Sequence, residues 1–251
     1  MQTGDKVGIG GFIISGSATK RIIVRAMGPS MKANGVPVPG RLQDPTLELH
    51  SNDGKIIQSN DDWRDTQEQE IQQSGLAPAD DRESAIIVTL PAGSYTAVVA
   101  GSDNSTGIGL IEVYDLQATN PDELGNLSVR ADVQTGDNVL IDGLILSGGT
   151  PKRVLFRALG PSVKINGTPV PGALQDPTLE LHDGNGTLLL SNDNWKDAPN
   201  SAEIQSTGLA PPDDRESAIL MTLAPGNYTT VVRGVNNTTG IGLAEAYKLD
   251  N

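Results

Sequence analysis

Apolar and polar residues alternate in short runs along this chain of 251 residues, and most runs end at a turn signal. In "KRIIVRA" (20–26), Ile22 and Val24 share one face, while positions 21, 23 and 25 form the other. A period of two with many β-branched residues is typical of β-strands. The segments "TLELHSNDGKIIQS" and "TLELHDGNGTLLLS" each place an Asp/Asn/Gly turn between two strands, so we interpret both as hairpins.

The same pattern of strands and turns occurs twice along the chain. "QTGDKVGIGGFIISG" (2–16) returns as "QTGDNVLIDGLILSG" (134–148), "LQDPTLELH" is identical at 42–50 and 174–182, and "DDRESAI" recurs. The offset is 132 residues up to the tryptophans and 133 beyond a one-residue insertion in the second copy. Such self-similarity indicates a tandem duplication. We interpret residues 1–116 as copy one, 117–125 as a linker and 126–251 as copy two.

Each copy contains about eight short strands in roughly 120 residues, including two around a Pro/Gly turn in "SAIIVTLPAGSYTAVVAG" and its repeat. The predicted fold is therefore all-β, with two tandem jelly-roll-like antiparallel β-sandwich domains. One short helix is expected in each. In "DTQEQEIQQSGL", Asp65 is the predicted N-cap and Gly75 follows the last turn. Asn200 and Gly208 have these roles in copy two.

The two copies differ at their beginnings. "NLSVRAD" (126–132) precedes copy two, and its apolar residues Leu127 and Val129 alternate like those of a strand. Copy one has no counterpart, because Met1 already aligns with Val133. Two explanations fit: the chain is part of a longer array, or copy one receives this strand from elsewhere.

Composition narrows the functional classes. A formal charge of −13 and a pI near 4.5 disfavour nucleic acid and anionic membranes as partners and favour divalent cations. Aromatic residues are only 3%, so the cores must be mainly aliphatic, and the absence of cysteine excludes disulfides and thiolate metal sites. No apolar run approaches the ~20 residues of a membrane span. Any export signal is expected to lie outside this chain.

The path "LELHDGNGTLLLSNDNW … SAILMTLAPGNYTTVVRG … GIGLAEAYKL" resembles the bacterial pre-peptidase C-terminal type of β-sandwich. In that family an acidic "SNDD"-like loop precedes a "LxPGxYxxxV" hairpin. The resemblance covers roughly the last two thirds of each copy. The first third looks like a tandem module common at the ends of large secreted bacterial proteins. These resemblances imply an exported, non-catalytic accessory module at the cell surface or outside the cell, in families where some members bind calcium.

The candidate metal site consists of two acidic loops in each copy. In copy one these are "SNDDWRD" and "DDRE", and copy two contains their repeats. Calcium needs six to eight oxygen ligands, which two such loops could supply if they meet at one end of a sandwich. The alternative is that Asp and Asn only form Asx turns and helix caps here. The candidate ligands are Asn60, Asp61, Asp62, Asp80, Asp81 and Glu83 in copy one, and Asn192, Asp193, Asp213, Asp214 and Glu216 in copy two.

Arginines accompany the acidic run. Arg82 and Arg215 lie inside "DDRE", where bidentate pairing with neighbouring carboxylates would fix the loop before its strand. We expect Arg25 and Arg157, on the facing strand, to pair with the same acidic run.

Catalysis would have to start from His50 or His182, the only histidines. No G-x-S-x-G, H-E-x-x-H or second histidine accompanies either, so we expect hydrogen-bonded histidines at strand ends and no enzyme. Trp63 and Trp195 follow the acidic loops. They could be sugar platforms, but one tryptophan per copy fits better with an anchor packed on the sandwich.

The sequence thus favours a non-catalytic extracellular structural or adhesive module, with calcium as a possible stabilising cofactor. One alternative is a subunit of an extracellular filament or array assembled by β-strand complementation. The other is a carbohydrate-binding module. Expected partners are other copies of the chain or neighbouring domains of a larger secreted protein, with cell-surface glycans as the second option.

Overall fold

The computed structural model describes residues 1–33, 35–117, 124–165 and 167–249. The chain divides into two compact units, residues 1–125 and 126–251. Both units consist of antiparallel strands with one short α-helix each, so the all-β prediction is confirmed. Of the predicted linker, residues 118–123 lie outside the described part, while Leu124 and Gly125 already belong to a strand.

Unit 1 contains two sheets. Strands β1, β8, β5 and β6 pair in that order, and strands β7, β2 and β9 form the second sheet. The elements are β1 (Gly8–Ile14), β2 (Lys20–Met27), β3 (Lys32–Ala33), β4 (Val36–Pro37), β5 (Pro45–Ser51), β6 (Ile56–Asn60), α1 (Glu68–Gln73), β7 (Ser84–Leu90), β8 (Gly93–Gly101) and β9 (Leu110–Asp115).

Unit 2 repeats this arrangement with one more strand. Strands β11, β18, β15 and β16 pair in that order, and β17, β12, β19 and β10 form the facing sheet. The elements are β10 (Leu124–Val133), β11 (Leu140–Leu146), β12 (Lys152–Leu159), β13 (Lys164–Ile165), β14 (Thr168–Pro169), β15 (Pro177–Asp183), β16 (Leu188–Asn192), α2 (Ser201–Ser206), β17 (Ser217–Leu223), β18 (Gly226–Gly234) and β19 (Gly240–Leu249).

The core of each unit lies between its two sheets and is mainly aliphatic, as the low aromatic content predicts. In unit 2, alternate residues of β12 point inward and meet inward residues of β15 from the other sheet. Phe156 is the one phenylalanine in this cluster. In unit 1, Phe12 stacks on Tyr95 with ring centroids 5.5 Å apart. Period-two alternation thus places each apolar row between the sheets.

The Pro/Gly turn does not close a hairpin, in contrast to the pattern expected from the pre-peptidase family. Strand β7 pairs with β2, whereas β8 pairs with β1 and β5, so the turn carries the chain from one sheet to the other. Tyr95 fixes this crossing, because its hydroxyl donates to the carbonyl of Pro91 at 2.8 Å and its ring lies beneath Gly93. Unit 2 repeats the bond between Tyr228 and Ala224.

The predicted N-cap of α1 is wrong. The helix begins at Glu68 after Gln67, and the Gln67 amide binds the N–H and C=O of Ile87 in β7 instead of capping the helix. Asn200 does precede α2, but its side chain donates to Leu220 of β17. Docking onto the open edge of the neighbouring strand therefore takes precedence over capping. The glycines after both helices adopt φ = +73°, as predicted.

The segment before copy two is a strand, as its alternation predicts. Residues 126–133 of β10 pair antiparallel with 240–247 of β19. In unit 1, the counterpart of β19 is β9, and among the described residues β9 pairs only with β2. Met1 occupies the position equivalent to Val133, since its backbone exchanges two hydrogen bonds with Gly107.

An aspartate carboxyl lies in the aliphatic core of unit 2. Asp142 of β11 is 7% exposed and points inward in the same row as Leu140 and Leu146, whereas copy one has Gly10 at this position. Burial raises the pKa of Asp142 from 3.8 to about 7, and the negative charge of Glu245 adds to the effect. Because the folded pKa exceeds the unfolded pKa, the folded state loses stability as the pH rises from about 4 through about 7.

We expect Asp142→Asn to make unit 2 more stable at pH 8, since asparagine has the same shape and no charge to desolvate. The stability difference between variant and parent should grow by up to ~1.4 kcal/mol per pH unit between pH 5 and 7 and then level off. Urea unfolding at pH 5, 6, 7 and 8 measures this difference. Asp137→Asn, at an exposed position, is the matched control. A difference that does not vary with pH would contradict the assignment.

Candidate functional site

The repeated "DDRE" segment contains a fully buried glutamate. Glu83 is 0% exposed, and its Oε1 atom accepts hydrogen bonds from the backbone N–H of Gly28 (2.9 Å), the N–H of Ser30 (2.9 Å) and the Ser30 hydroxyl (2.7 Å). Its Oε2 atom accepts the N–H of Asp80 at 3.3 Å. Glu83 thus joins the turn after β2 to the acidic loop before β7. Both of its oxygens are engaged with the chain itself.

Unit 2 repeats this junction with the same geometry. Glu216 accepts from Gly160, from the backbone and hydroxyl of Ser162, and from Asp213. A glycine is required where the turn approaches the following loop, because a Cβ on Gly160 would lie 2.0 Å from the carbonyl oxygen of Leu174. The corresponding distance from Gly28 to the Leu42 carbonyl oxygen is 2.2 Å. We call these two sites the glutamate junctions.

Neighbouring residues extend each junction. The Ser84 hydroxyl lies 2.5 Å from the carbonyls of both Pro45 and Asp61, and Asn60 donates to the Asp62 carbonyl while accepting the N–H of Ala85. Asn192 and Ser217 make the equivalent bonds in unit 2. The side chains of Asn60 and Asn192, predicted as metal ligands, are therefore used to hold the acidic loops against β7 and β17.

Arg82 and Arg215 pair as the sequence predicts. Each guanidinium contacts both oxygens of the aspartate two residues earlier, Arg82 on Asp80 and Arg215 on Asp213, at 2.9–3.0 Å. Hydrogen bonds from Arg82 hold the pKa of Asp80 below its usual value, and Arg215 lowers the pKa of Asp213 in the same way.

The prediction for Arg25 and Arg157 is wrong. Arg25 binds Glu112 on the adjacent strand β9, at 3.0 and 2.5 Å, and stacks over Tyr114. Arg157 does the same with Glu245 and Tyr247. Both arginines are held by the carboxylate next to them within the sheet, so they do not pair with the acidic loop.

The remaining acidic side chains divide into two groups. Asp81 and Asp214 form exposed ion pairs with Arg64 and Lys196, both at 2.6 Å. Asp61, by contrast, lies among other aspartates. Partial burial and the negative charges of four neighbours raise its pKa above the usual value; the neighbours are Asp44, Asp62, Asp65 and Asp103. We call these five residues the aspartate cluster.

Unit 2 has a weaker version of the aspartate cluster. The pKa of Asp193 is also raised by desolvation, but only Asp176 and Asp197 add negative charge. Asn194 and Asn236 replace the aspartates at positions 62 and 103. In the part of the chain that the structure describes, no group of three or more His, Asp or Glu side chains is arranged to hold a metal ion. Calcium binding by these loops stays a prediction.

The histidines have hydrogen-bond partners on both ring nitrogens. His50 contacts the Gly54 carbonyl and Glu48, and His182 contacts the Gly186 carbonyl and Glu180. His182 also borders an open hollow of about 350 Å³ on the outer face of unit 2. The other lining residues are Glu180, Asp183, Gly184, Gly186, Asn227, Thr229, Val231 and Arg233.

Trp63 and Trp195 lie in the interior, at 2% and 5% exposure. Each packs against the helix of its unit through Ile71 or Ile204. A basic neighbour covers each indole, with the Arg64 guanidinium 4.3 Å from the centre of the Trp63 ring. The tryptophans therefore anchor loop and helix to the sandwich. Neither indole N–H has a hydrogen-bond partner.

Sequence reasoning missed two features. The segment "GPS" supplies three of the four donors at each glutamate junction. It stands at the same place in each copy, and this repetition was the available signal. Lys20 gave no signal at all. It is fully buried and binds Asp115 at 2.7 Å, although lysine is rarely buried unless paired.

No family model and no curated protein matches this chain. Among solved structures, that of Sulfolobus turreted icosahedral virus is 12% identical over 95% of this chain and 87% of that chain, with a TM-score of 0.26. The structure of the STIV MCP is 12% identical over 99% of this chain and 90% of that chain, with a TM-score of 0.25. The structure of a protein from Eubacterium rectale is 8% identical over 95% of this chain and 68% of that chain, with a TM-score of 0.19. Such low scores carry no argument about this chain. The pre-peptidase resemblance accordingly stays a prediction, and no described helix is long and apolar enough to span a membrane.

We expect Glu83→Gln to destabilise unit 1 by about 2–4 kcal/mol, because the new amide N–H₂ would face N–H and O–H donors in a dry site. Glu216→Gln should have a similar effect on unit 2. Urea unfolding at pH 7 measures both. Asp81→Asn, which removes an exposed charge from the same loop, should cost less than about 1 kcal/mol. Equal effects of Glu83→Gln and Asp81→Asn would contradict the structural importance of the junction.

Proposed function

We propose that this chain is a non-catalytic structural or adhesive module of a bacterial cell surface, built from two β-sandwich units. The glutamate junctions carry this proposal. Two segments that are identical in both copies, "DDRES" and "GPS", bind each other in both units and fix loops to strands. Residues of this kind stabilise the fold. The resemblance to exported accessory modules supports the extracellular location.

The environment of the histidines supports the same proposal. Both rings are held in the same way, between a glycine carbonyl and a strand glutamate. A general base needs a ring nitrogen that can reach a substrate proton. Here the ring nitrogens already have partners in the hairpin, and the identical arrangement in the two units fits a turn-stabilising role.

The proposal predicts no histidine-dependent turnover. Purified chain and the double variant His50→Ala, His182→Ala should show the same background rates on chromogenic esters, glycosides and peptides. Circular dichroism should first establish that the variant is folded. A substrate that the parent chain hydrolyses and the folded double variant does not would overturn the non-catalytic assignment and direct attention to the hollow beside His182.

We further propose that calcium stabilises unit 1 at the aspartate cluster. The raised pKa of Asp61 supports this, because it reflects desolvation together with the negative charge of four neighbouring aspartates. Within the described residues, none of the five forms an ion pair. A divalent cation would relieve their mutual repulsion, and oxygen ligands suit calcium.

Thermal melts in EDTA and in millimolar calcium test this proposal, with sodium chloride at matched ionic strength as the control. Binding at 100 times the dissociation constant adds ~2.7 kcal/mol to stability. Asp61→Asn should raise the melting temperature in EDTA, since a raised folded pKa means that the ionised form destabilises the fold. The variant should also lose most of the calcium shift. Asp193→Asn, with fewer acidic neighbours, should change both less. No calcium-specific shift in the parent chain would contradict the proposal.

The carbohydrate-binding alternative has less support. Sugar platforms are exposed aromatic rings, and both tryptophans are buried. The hollow beside His182 has no aromatic side chain among the residues that line it. The assembly alternative stays a prediction, based on the difference between β19, which pairs with β10, and β9, which pairs with β2 alone among the described strands.

A further inference from the structure

The hollow beside His182 lies over one row of side chains on strand β18. Asn227, Thr229, Val231 and Arg233 alternate along that strand, and all four line the hollow. Residues two apart on a strand point to the same face, so these side chains form the floor of the hollow. The residues between them are directed into unit 2. The row is about 20 Å long, since each residue of a strand adds ~3.4 Å.

Arg233 supplies a guanidinium without a counter-ion. Among the residues that the structure describes, no hydrogen bond, ion pair or ring contact reaches this group. The two carboxylates that also line the hollow are engaged elsewhere. Glu180 pairs with His182 at 3.1 Å, and Asp183 accepts two backbone N–H groups of the turn that follows it. The Arg233 guanidinium is therefore available to an external carboxylate, which it can bind through two parallel hydrogen bonds.

Exposed apolar side chains lie beside the hollow on strand β11. Ile141 and Ile145 are 53% and 63% exposed. The ladder places Ile141 directly opposite Val231. Gly143 lies between the two isoleucines, opposite Thr229, and leaves that part of the face without a side chain. An apolar group of a ligand could thus pack against β11 and β18 next to the free guanidinium.

Two polar side chains of the floor are available for hydrogen bonding. Asn227 and Thr229 line the hollow, and in the described part of the chain neither side chain has a hydrogen-bond partner. An amide and a hydroxyl can each both donate and accept. They can therefore bind the N–H and C=O groups of a peptide. An alkyl chain would leave both of them without a partner.

Unit 1 lacks the charged end of this surface. The position of Arg233 is taken by Ala100 on β8. Next to it, Val98 still pairs with Ile9 across the ladder. The histidine hairpins of the two units are also held in the same way. Unit 1 therefore offers an internal comparison, in which the apolar pair is present and the cation is missing.

We propose that this face of unit 2 binds the C-terminal end of a peptide whose last residue is apolar. The terminal carboxylate pairs with Arg233, and the last side chain packs on Val231 and Ile141. Val231 lies about 7 Å from Arg233 along the strand, a separation that the long arginine side chain spans. The preceding peptide groups bond to Thr229 and Asn227. The hollow, at about 350 Å³, lies at the lower end of the usual range for ligand sites, so it fits a chain end better than a folded domain.

Other carriers of a carboxylate fit this face less well. A fatty acid has no polar group for Asn227 and Thr229. An anionic membrane or a polyanion is repelled by the formal charge of −13, whereas a single carboxylate beside Arg233 experiences mainly the local cation. Neither the glutamate junctions nor the aspartate cluster takes part in this contact.

Titration of the isotope-labelled chain with N-acetyl-leucine, followed by two-dimensional NMR, tests the site. The dissociation constant should be on the order of 1 mM, as expected for a ligand of this size. The amide signals of Thr229, Val231 and Arg233 should shift, while those of Thr96 and Val98 in unit 1 should not. N-acetyl-leucinamide, which lacks the charge, and N-acetylglycine, which lacks the apolar group, should each bind at least tenfold more weakly.

Two variants separate the charge from the apolar contact. Arg233→Gln should weaken the binding of N-acetyl-leucine at least tenfold, because an amide cannot form the ion pair. Lys164→Gln, which removes an exposed positive charge from the β13–β14 hairpin of the same unit, is the matched control and should bind like the parent chain. Ile141→Ser should weaken N-acetyl-leucine about fivefold and leave N-acetylglycine unchanged. All three positions are exposed, and thermal melts establish that the variants are folded.

Four results would overturn the proposal. The first is no shift in the β18 row at about 10 mM N-acetyl-leucine, roughly ten times the expected dissociation constant. The second is equal binding of N-acetyl-leucine and N-acetyl-leucinamide, which would exclude a role of the charge. The third is equal affinity of folded Arg233→Gln and Lys164→Gln. The fourth is tighter binding of octanoate than of N-acetyl-leucine to the same row, which would assign the face to an alkyl carboxylate instead of a peptide.

Discussion

Each unit depends on a buried carboxylate that receives four hydrogen bonds from its own chain. Glu83 and Glu216 are each solvated by three backbone N–H groups and one serine hydroxyl. A buried charge is tolerated only where such donors replace water. The arrangement locks the turn after one strand to the loop before another, at the same end of both sandwiches. The two aspartates that precede each glutamate instead bind basic side chains, Asp80 and Asp213 the arginine of the same loop, and Asp81 and Asp214 a basic residue beside the tryptophan.

Much of the architecture could be predicted from the sequence, because period-two alternation and duplication are local or repeated signals. The strand at 126–133 and the asymmetry between copies followed from the same pattern. Which strands belong to the same sheet could not be predicted in this way. The Pro/Gly turn between β7 and β8 has the residues of a hairpin, yet inter-sheet packing places its strands in different sheets. Turn chemistry specifies a reversal of the chain but not which strands pair afterwards.

The sequence predicted which residue types form the candidate site, but it did not predict how their side chains are arranged. In "DDRE" all acidic residues looked equivalent, but Glu83 points inward to donors that come from a turn more than fifty residues away. Arg25 was expected to pair with this loop, whereas Glu112 lies closer to it within the sheet. Such contacts are set by the register of strands distant in sequence, which no spacing rule contains. The duplication also offers an internal comparison, since Asp142 and Gly10 test one position in two nearly identical frames.

The identical segment "LQDPTLELH" has a consequence for how the chain folds. It supplies all but the last residue of β5 in unit 1 and of β15 in unit 2, strands that pair with β8 and β18 respectively. In an unfolded chain, each of these two acceptors meets two donors of the same sequence. Non-native pairing between copies is a known hazard of tandem repeats during refolding. We therefore expect correct pairing to be favoured when the first unit closes its sheets before its twin has been synthesised.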